Sequence, residues 1–336
     1  MSSEIPLGPT GQVRFPREPT RSTLSALALF VAGIALLGVG RLGPDTTPPA
    51  QPVESVRLAD IHLAATGPEA PPPTFLDAED LSAPRVRAAA GILYNPRTNE
   101  VLWESRGLEQ RPIASITKVM TALVLLDQRP DLSHDVVIAR ADVRRASTTY
   151  LRRSERVTLD GLLHLALVAS DNAAARALAR ASGLGSRHFV EAMNQKAAEL
   201  GLDATRFVEP SGLDERNVST PYDIARLIAH ASAEPTLTHI MRKSSHQLRT
   251  SRRRLTVRNT NRLLRGRHLV QAGKTGYIDE AGYCLTAVVK LPDSDPLALV
   301  VLGVNSNSGR FREARRLVDW VSTKGRPLID GSRRAD

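Results

Sequence analysis

The sequence predicts an α/β fold: one antiparallel sheet formed by the two ends of a domain, flanked by helices, with a helical subdomain between them. Three observations predict it. Strand-like segments stand at 88–94 and 100–104, joined by the turn Asn95-Pro96-Arg97-Thr98-Asn99. Strand patterns then return only near the other end, at 268–272, 282–291 and 297–304. The stretch between carries apolar residues at helical spacing. Two sheet-forming ends enclosing a helical middle bury their apolar faces most simply by pairing with each other.

Taken in order, the chain opens with a short N-terminal stretch, 1–22. An uncharged run of 18 residues follows at 23–40, between Arg21 and Arg41. That run is long enough to cross a bilayer and reads as an uncleaved transmembrane anchor, with a cleaved signal peptide as the rival. Residues 41–84 read as a proline-rich disordered spacer, since nine of the 22 prolines fall between 44 and 84. The folded domain is expected at 85–325, with a tail at 326–336. After the first two strands a helix begins near Ser115. Ile116, Val119, Met120, Leu123 and Val124 repeat at helical spacing, and the pattern stops at Asp127. Segments 160–168, 173–181 and 188–200 also read as helices. A helix over 221–230 is announced by Ser219-Thr220-Pro221, a cap followed by proline in the first turn. After the three late strands, 310–323 reads as an amphipathic helix.

Composition excludes several chemistries. A single cysteine, Cys284, rules out an intrachain disulfide and a cysteine zinc site. The eight histidines show no HExxH and no other ligand spacing, so neither metal nor cofactor is expected. Arginine outnumbers lysine 39 to six, so a lysine inside a motif carries weight. Beyond residue 84 the chain has 40 basic and 26 acidic residues, a net of +14. That balance favours anionic surroundings. With aromatics at 4%, nucleic acid is disfavoured and anionic envelope polymers are the simpler partner; a plain solvated arginine surface fits equally well.

Three short motifs carry chemistry. Ser115-Ile116-Thr117-Lys118 is S-x-x-K, Ser170-Asp171-Asn172 is S-D-N, and Lys274-Thr275-Gly276 is K-T-G. Each alone is weak; together, in this order, they match the signature of penicillin-binding proteins and class A β-lactamases. Residues three apart on a helix share a face, so the Lys118 amine meets the Ser115 hydroxyl. A serine hydroxyl becomes nucleophilic when a neighbour takes its proton. Lys118 can do so only when neutral, which burial and a second cation, Lys274, would favour. Ser115 at a helix start can also offer its N–H to an oxyanion. The plain alternatives are a capping Ser115, a solvated Lys118, ordinary helix capping at 170–172 and an edge-strand lysine at 274. Lys274-Thr275-Gly276 is expected to open a strand. Its Lys and Thr would hold a carboxylate, and its glycine would let a substrate backbone approach.

Beyond these triads, ASITKVMTAL (114–123), LGLDATRFVEPSGLDERNVSTPYD (200–223), NTNRLL (259–264), GKTGY (273–277) and AGYCL (281–285) resemble the serine D-alanyl-D-alanine carboxypeptidase/endopeptidase family, the low-molecular-mass penicillin-binding proteins. The resemblance covers nearly all of 86–325. FVEAMNQKAAELG, TRFVEPSGL and NVST most resemble the endopeptidase branch. It implies a β-lactamase/transpeptidase-like fold and a penicillin-binding serine DD-peptidase acting on peptidoglycan stem peptides, with β-lactams as covalent inhibitors. It implies Ser115 as acyl-ester nucleophile, Lys118 as general base, Ser170 as proton relay and Asn172 as the residue that orients Lys118 and the peptide. Lys274 and Thr275 would hold the terminal carboxylate, beside Gly276, and Tyr277 would give the second oxyanion N–H. With the anchor, it implies the bacterial cytoplasmic membrane as location and partner, with 1–22 cytoplasmic and the catalytic domain extracytoplasmic (periplasmic). Two departures stand out. The extra C-terminal β-domain of many family carboxypeptidases does not follow the last helix, which favours the shorter endopeptidase-like branch. Asp279 replaces the threonine often found shortly after K-T-G.

Two other functions compete. A class A-like β-lactamase needs a deacylating acid, often in E-P-x-L-N; Glu234-Pro235-Thr236-Leu237-Thr238 is a near match without the asparagine. A non-catalytic peptidoglycan-binding protein on the same scaffold would not need every catalytic side chain to be present.

Overall fold

The computed structural model describes residue 67 and residues 69–77, 81–147, 149–266 and 269–331. All of them belong to one unit, Val56–Asp336. In chain order the elements are β1 (Thr74–Phe75), β2 (Ala90–Asn95), β3 (Glu100–Ser105), β4 (Arg111–Pro112), α1 (Thr117–Asp127), β5 (Asp135–Val137), α2 (Arg140–Val143), β6 (Arg156–Thr158), α3 (Leu159–Val168), α4 (Asn172–Ala181) and α5 (Gly185–Glu199). Then come β7 (Val218–Ser219), α6 (Pro221–Ala233), α7 (Pro235–Met241), β8 (Ser245–Arg249), β9 (Arg254–Arg258), β10 (Leu269–Ile278), β11 (Gly282–Lys290), β12 (Pro296–Val304), α8 (Asn307–Val321) and α9 (Arg326–Gly331).

The two ends do pair. The main sheet runs β1-β3-β2-β12-β11-β10, and its junction is the antiparallel pairing of β12 with β2, with Val300 opposite Ile92. It is a mixed sheet, because β1 pairs parallel with β3. Successive strand residues face opposite sides. Ile92, Tyr94, Ala298 and Val300 therefore enter a core shared with α1, α3, α4 and α6. Leu93, Leu297, Leu299 and Val301 enter a second core with Phe311, Leu317 and Trp320 of α8. Burial on both faces explains why these strands read as continuous apolar runs. α1 is buried along Thr117–Leu125, so it is a central helix rather than a surface one.

Three expectations change. The domain does not begin at 85: Leu76 and Leu81 pack on the second core, the Leu81 carbonyl accepts from Trp320 Nε1 at 3.0 Å, and Asn99 Nδ2 donates to the carbonyls of Pro71 and Pro72. The tail contributes α9, with Ile329 in the same core. The membrane anchor is also corrected. Among the described residues no helix is long and apolar enough to cross a membrane. The longest, α5 and α8, have 15 residues, roughly 22 Å of rise against a hydrocarbon core of about 30 Å. The run at 23–40 lies outside the described residues. The transmembrane helix, the membrane as a partner and the membrane location are withdrawn accordingly.

Candidate active site

Ser115 sits in a 3-10 turn, Ala114–Ile116, that leads directly into α1. Ala114 takes φ 48, a left-handed conformation that costs a non-glycine residue on the order of 1 kcal/mol or more. Two glycines explain how the turn is held. A Cβ on Gly212 would lie 2.0 Å from the Ala114 carbonyl oxygen, and one on Gly276 would lie 2.8 Å from that of Ile113 and 3.2 Å from Ser115 N. The K-T-G glycine thus lets β10 press against the Ser115 turn, rather than only making room for a substrate.

Lys118, one turn on, is fully buried. Its Nζ donates to Ser115 Oγ at 2.8 Å, to Asn172 Oδ1 at 2.7 Å and to the Ser211 carbonyl at 2.5 Å. Burial pushes this amine down to about 7, assisted by Arg176 and opposed by Glu209 and Asp171. The anticipated influence of Lys274 runs the other way. Lys274 lies well below the lysine range, first by burial, then by Lys118 and Arg310.

The S-D-N triplet splits into two duties. Asp171 is a helix cap: its carboxylate accepts from Ala174 N at 2.9 Å and from Tyr150 N at 2.5 Å. Its neighbours Ser170 and Asn172 line the cleft. Asn172 accepts from Lys118, and its Nδ2 donates to the Ala146 carbonyl at 2.8 Å, which fixes which end of the amide meets the lysine. Ser170 is held at φ 61, and its Oγ accepts from Lys274 Nζ at 2.7 Å. Strain of this kind, held in place by its surroundings, collects where geometry matters for function.

Lys274-Thr275-Gly276 lies inside β10, not at its start, and β10 is an edge of the main sheet. Lys274 also donates to the Thr275 carbonyl at 2.8 Å, and Thr275 Oγ1 donates to Thr260 Oγ1 at 2.7 Å. Tyr277 is half exposed, stacks on Tyr283 with ring centroids 4.3 Å apart, and donates its hydroxyl to Asp279 at 2.7 Å. Ser115, Ser170, Asn172, Thr275, Gly276 and Tyr277 line one cleft of about 520 Å³. Lys118 and Lys274 stand behind its wall.

Sequence reading missed three contributors. Ser211 acts through a backbone carbonyl, which no side-chain motif reports. Its loop is organised by Glu209, whose carboxylate accepts from Ser211 N, Leu213 N and Asn217 Nδ2. Thr260 belongs to the NTNRLL segment noticed only as a likeness. Arg310, at the start of α8, lines the cleft and donates to the Gly276 carbonyl at 2.8 Å and the Cys284 carbonyl at 3.2 Å. Burial lowers it to about 10, so it stays charged near neutrality.

Glu234, the β-lactamase-like acid, instead caps α7 by accepting from Thr236 N at 3.0 Å, and it is absent from the cleft lining. Among the described residues one potential metal grouping lies outside the cleft: ligand atoms of Asp160, His164 and His246 are within 4.8 Å of one another. The two imidazoles stack with centroids 3.6 Å apart, so their in-plane lone pairs run side by side rather than converging. Lys243 Nζ already lies 2.9 Å from His164 Nε2.

This arrangement suits acyl transfer: a hydroxyl with a buried amine at its oxygen, in a cleft bordered by a sheet edge and the Arg310 guanidinium. The sequence profile of a family described as D-alanyl-D-alanine carboxypeptidase matches residues 77–306. A D-alanyl-D-alanine endopeptidase of Escherichia coli strain K12 is 33% identical over 275 residues, spanning 80% of this chain and 88% of the relative. A D-alanyl-D-alanine endopeptidase of Pseudomonas aeruginosa is 35% identical over 241 residues, spanning 70% and 77%. The crystal structure of the Streptomyces K15 DD-transpeptidase superposes with a TM-score of 0.66 at 28% identity, covering 71% of this chain and 98% of that one.

Proposed function

From the premise that the chain belongs to the D-alanyl-D-alanine carboxypeptidase family, we propose that Ser115 is the nucleophile of its acyl transfer and Lys118 the general base. The protein is a serine-type D-alanyl-D-alanine carboxypeptidase/endopeptidase that acts on peptidoglycan stem peptides. One observation carries the residue assignment. Two of the three acceptors around Lys118 Nζ are fixed carbonyls, those of Asn172 and Ser211. A neutral amine has two N–H bonds and one lone pair. With both N–H bonds on those carbonyls, the lone pair is left facing the Ser115 hydroxyl. Burial keeps the amine near neutrality at working pH.

The steps follow. Ser115 Oγ attacks the carbonyl of the penultimate D-alanine while its proton passes to Lys118 Nζ. The developing oxyanion is met by the N–H groups of Ser115 and Tyr277. The carbon–nitrogen bond then breaks. The leaving amine takes up the proton that Lys118 had accepted, passed on through the Ser170 hydroxyl, whose oxygen is held by Lys274, and Lys118 is neutral again. Water then attacks the acyl carbonyl as neutral Lys118 takes its proton, the ester bond breaks, and Lys118 returns that proton to Ser115 Oγ. Thr275 and Arg310, which line the cleft, hold the terminal carboxylate, with Lys274 behind them fixing Ser170 and the Thr275 carbonyl; the charge of Arg310 persists near neutral pH.

Within this family we infer a preference for cutting D-alanyl cross-bridges over trimming free termini. The inference is supported by endopeptidase relatives that align over 77–88% of their own length. It is also supported by a cleft whose wall is a sheet edge able to take an extended strand alongside β10. Purified cross-linked dimers and pentapeptide monomers, given side by side, test it. Cleavage of dimers with slower release of D-alanine from monomers is expected. Release from monomers with dimers left intact refutes the preference.

A further inference from the structure

Residues 242–265 carry nine basic residues and no acidic one. They form the β8–β9 hairpin and its flanks. The register places Arg249 directly opposite Arg254, and both are exposed. Like charges directly opposite on one face destabilise a strand pair. Nearby charge adds to the effect. Ser251 N donates to the Arg156 carbonyl at 2.8 Å, and Arg253 Nη2 to the Tyr150 carbonyl at 2.5 Å. These bonds join the hairpin tip to the loop that bears exposed Arg152 and Arg153. Arg253 is the neutralised member: it pairs with buried Glu155. Among the described residues Arg152, Arg153, Arg249, Arg252, Arg254 and Arg258 form no ion pair. An arrangement that costs stability and lacks internal counterions is relieved by an external anion.

The surface borders the cleft on two sides. Thr260, two residues after β9, lines it, as does Ser147 in the loop that leads to Tyr150. The exposed positions between the arginines, Ser245, Gln247 and Thr256, are polar, so the hairpin offers no apolar residue to insert into a bilayer.

We propose that the arginine face of the β8–β9 hairpin and the adjoining 152–156 loop is a docking surface for peptidoglycan, gripping the free stem carboxylates around the bond to be cut. This rests on the peptidoglycan reading of the cleft. Guanidinium groups pair bidentately with carboxylates, and many such contacts hold an insoluble polymer close while leaving small substrates unaffected.

Sedimentation of the purified protein with purified sacculi tests it. The wild type should pellet with sacculi at low salt and be released at high salt. The triple variant Arg249→Gln, Arg252→Gln, Arg254→Gln should stay in the supernatant, with its melting temperature unchanged or raised. The corresponding triple lysine variant should pellet like the wild type. Sacculi whose carboxylates have been amidated with a carbodiimide should not retain the wild type. On intact sacculi the glutamine variant should digest about tenfold more slowly, while its acylation by a soluble fluorescent penicillin is unchanged. Equal pelleting of the glutamine variant, equal retention by amidated sacculi, or stronger retention by anionic lipid vesicles overturns the proposal. Penicillin acylation in the same samples reports separately on the cleft: its absence from the wild type would sink the Ser115 assignment without touching the sedimentation result.

Discussion

The side chains closest to the chemistry are set by how Lys118 is surrounded. In the proposed role of Lys118 the neutral amine is the active form, so acylation should rise with pH through a midpoint of about 7 and level off above it. Stopped-flow acylation by a chromogenic β-lactam measures this, and a rate independent of pH from 5 to 9 would contradict it. Lys118→Arg keeps a cation that cannot deprotonate, so acylation should fall by about 10³-fold or more with the fold retained by circular dichroism. Glu209 raises the Lys118 amine through its charge. Glu209→Gln should therefore move the acylation midpoint below that of the wild type, and an upward movement would show that the loop acts by shape alone. At this scale the gathering of Ser115, Lys118, Ser170, Asn172, Lys274 and Thr275 around one cleft was legible because their hydroxyls, amide and amines stand in three short side-chain motifs. Ser211 and Arg310 were not. The first contributes only a carbonyl, and the second reaches the cleft from a helix whose pattern reports its buried face.

Elements meet here through small contacts that sequence periodicity cannot register. The long strands β11 and β12 and the helices α3 to α6 are close to their expected bounds, because each has a sustained apolar pattern. β10 runs longer than its apolar part, since Lys274 and Thr275 interrupt the pattern while remaining in the ladder opposite Thr286 and Leu285. The β8–β9 hairpin was invisible for a related reason: its exposed face is arginine, serine and threonine, and only Leu248 and Val257 are buried. Short pairs such as β4 with β7 lie below any periodic signal. The clearest test at this scale is a pair of glycines with similar backbones. Gly212 (φ +79) faces the Ala114 carbonyl, whereas Gly183 (φ +81) has nothing within 4 Å of an added Cβ. Gly183→Ala should cost about 1 kcal/mol from conformation alone. Gly212→Ala should cost more, about 3 kcal/mol, and should also slow acylation, because the Ser115 turn must shift. Thermal melts and acylation rates of both variants check this; equal effects would mean that the close approach is unimportant.

For the molecule as a whole, the sheet closed by its two ends was readable because strands cluster at 88–104 and 268–304, yet the true edge of the domain was hidden in a proline-rich stretch. β1 ties that stretch to β3, and the Leu81 contact to Trp320 ties it to the far end of the chain. A protein truncated to begin at Arg85 should melt several degrees below one beginning at Gly67, with acylation preserved in both; identical melting would show that these contacts carry no stability. All three motifs converge on one cleft, and everything inferred about activity depends on the covalent step there. Intact-protein mass after benzylpenicillin treatment, followed by peptide mapping, tests that step most directly. A single adduct on the peptide containing Ser115, absent from the Ser115→Ala variant, is the predicted result. An adduct that persists in that variant, or that maps to another residue, would contradict it.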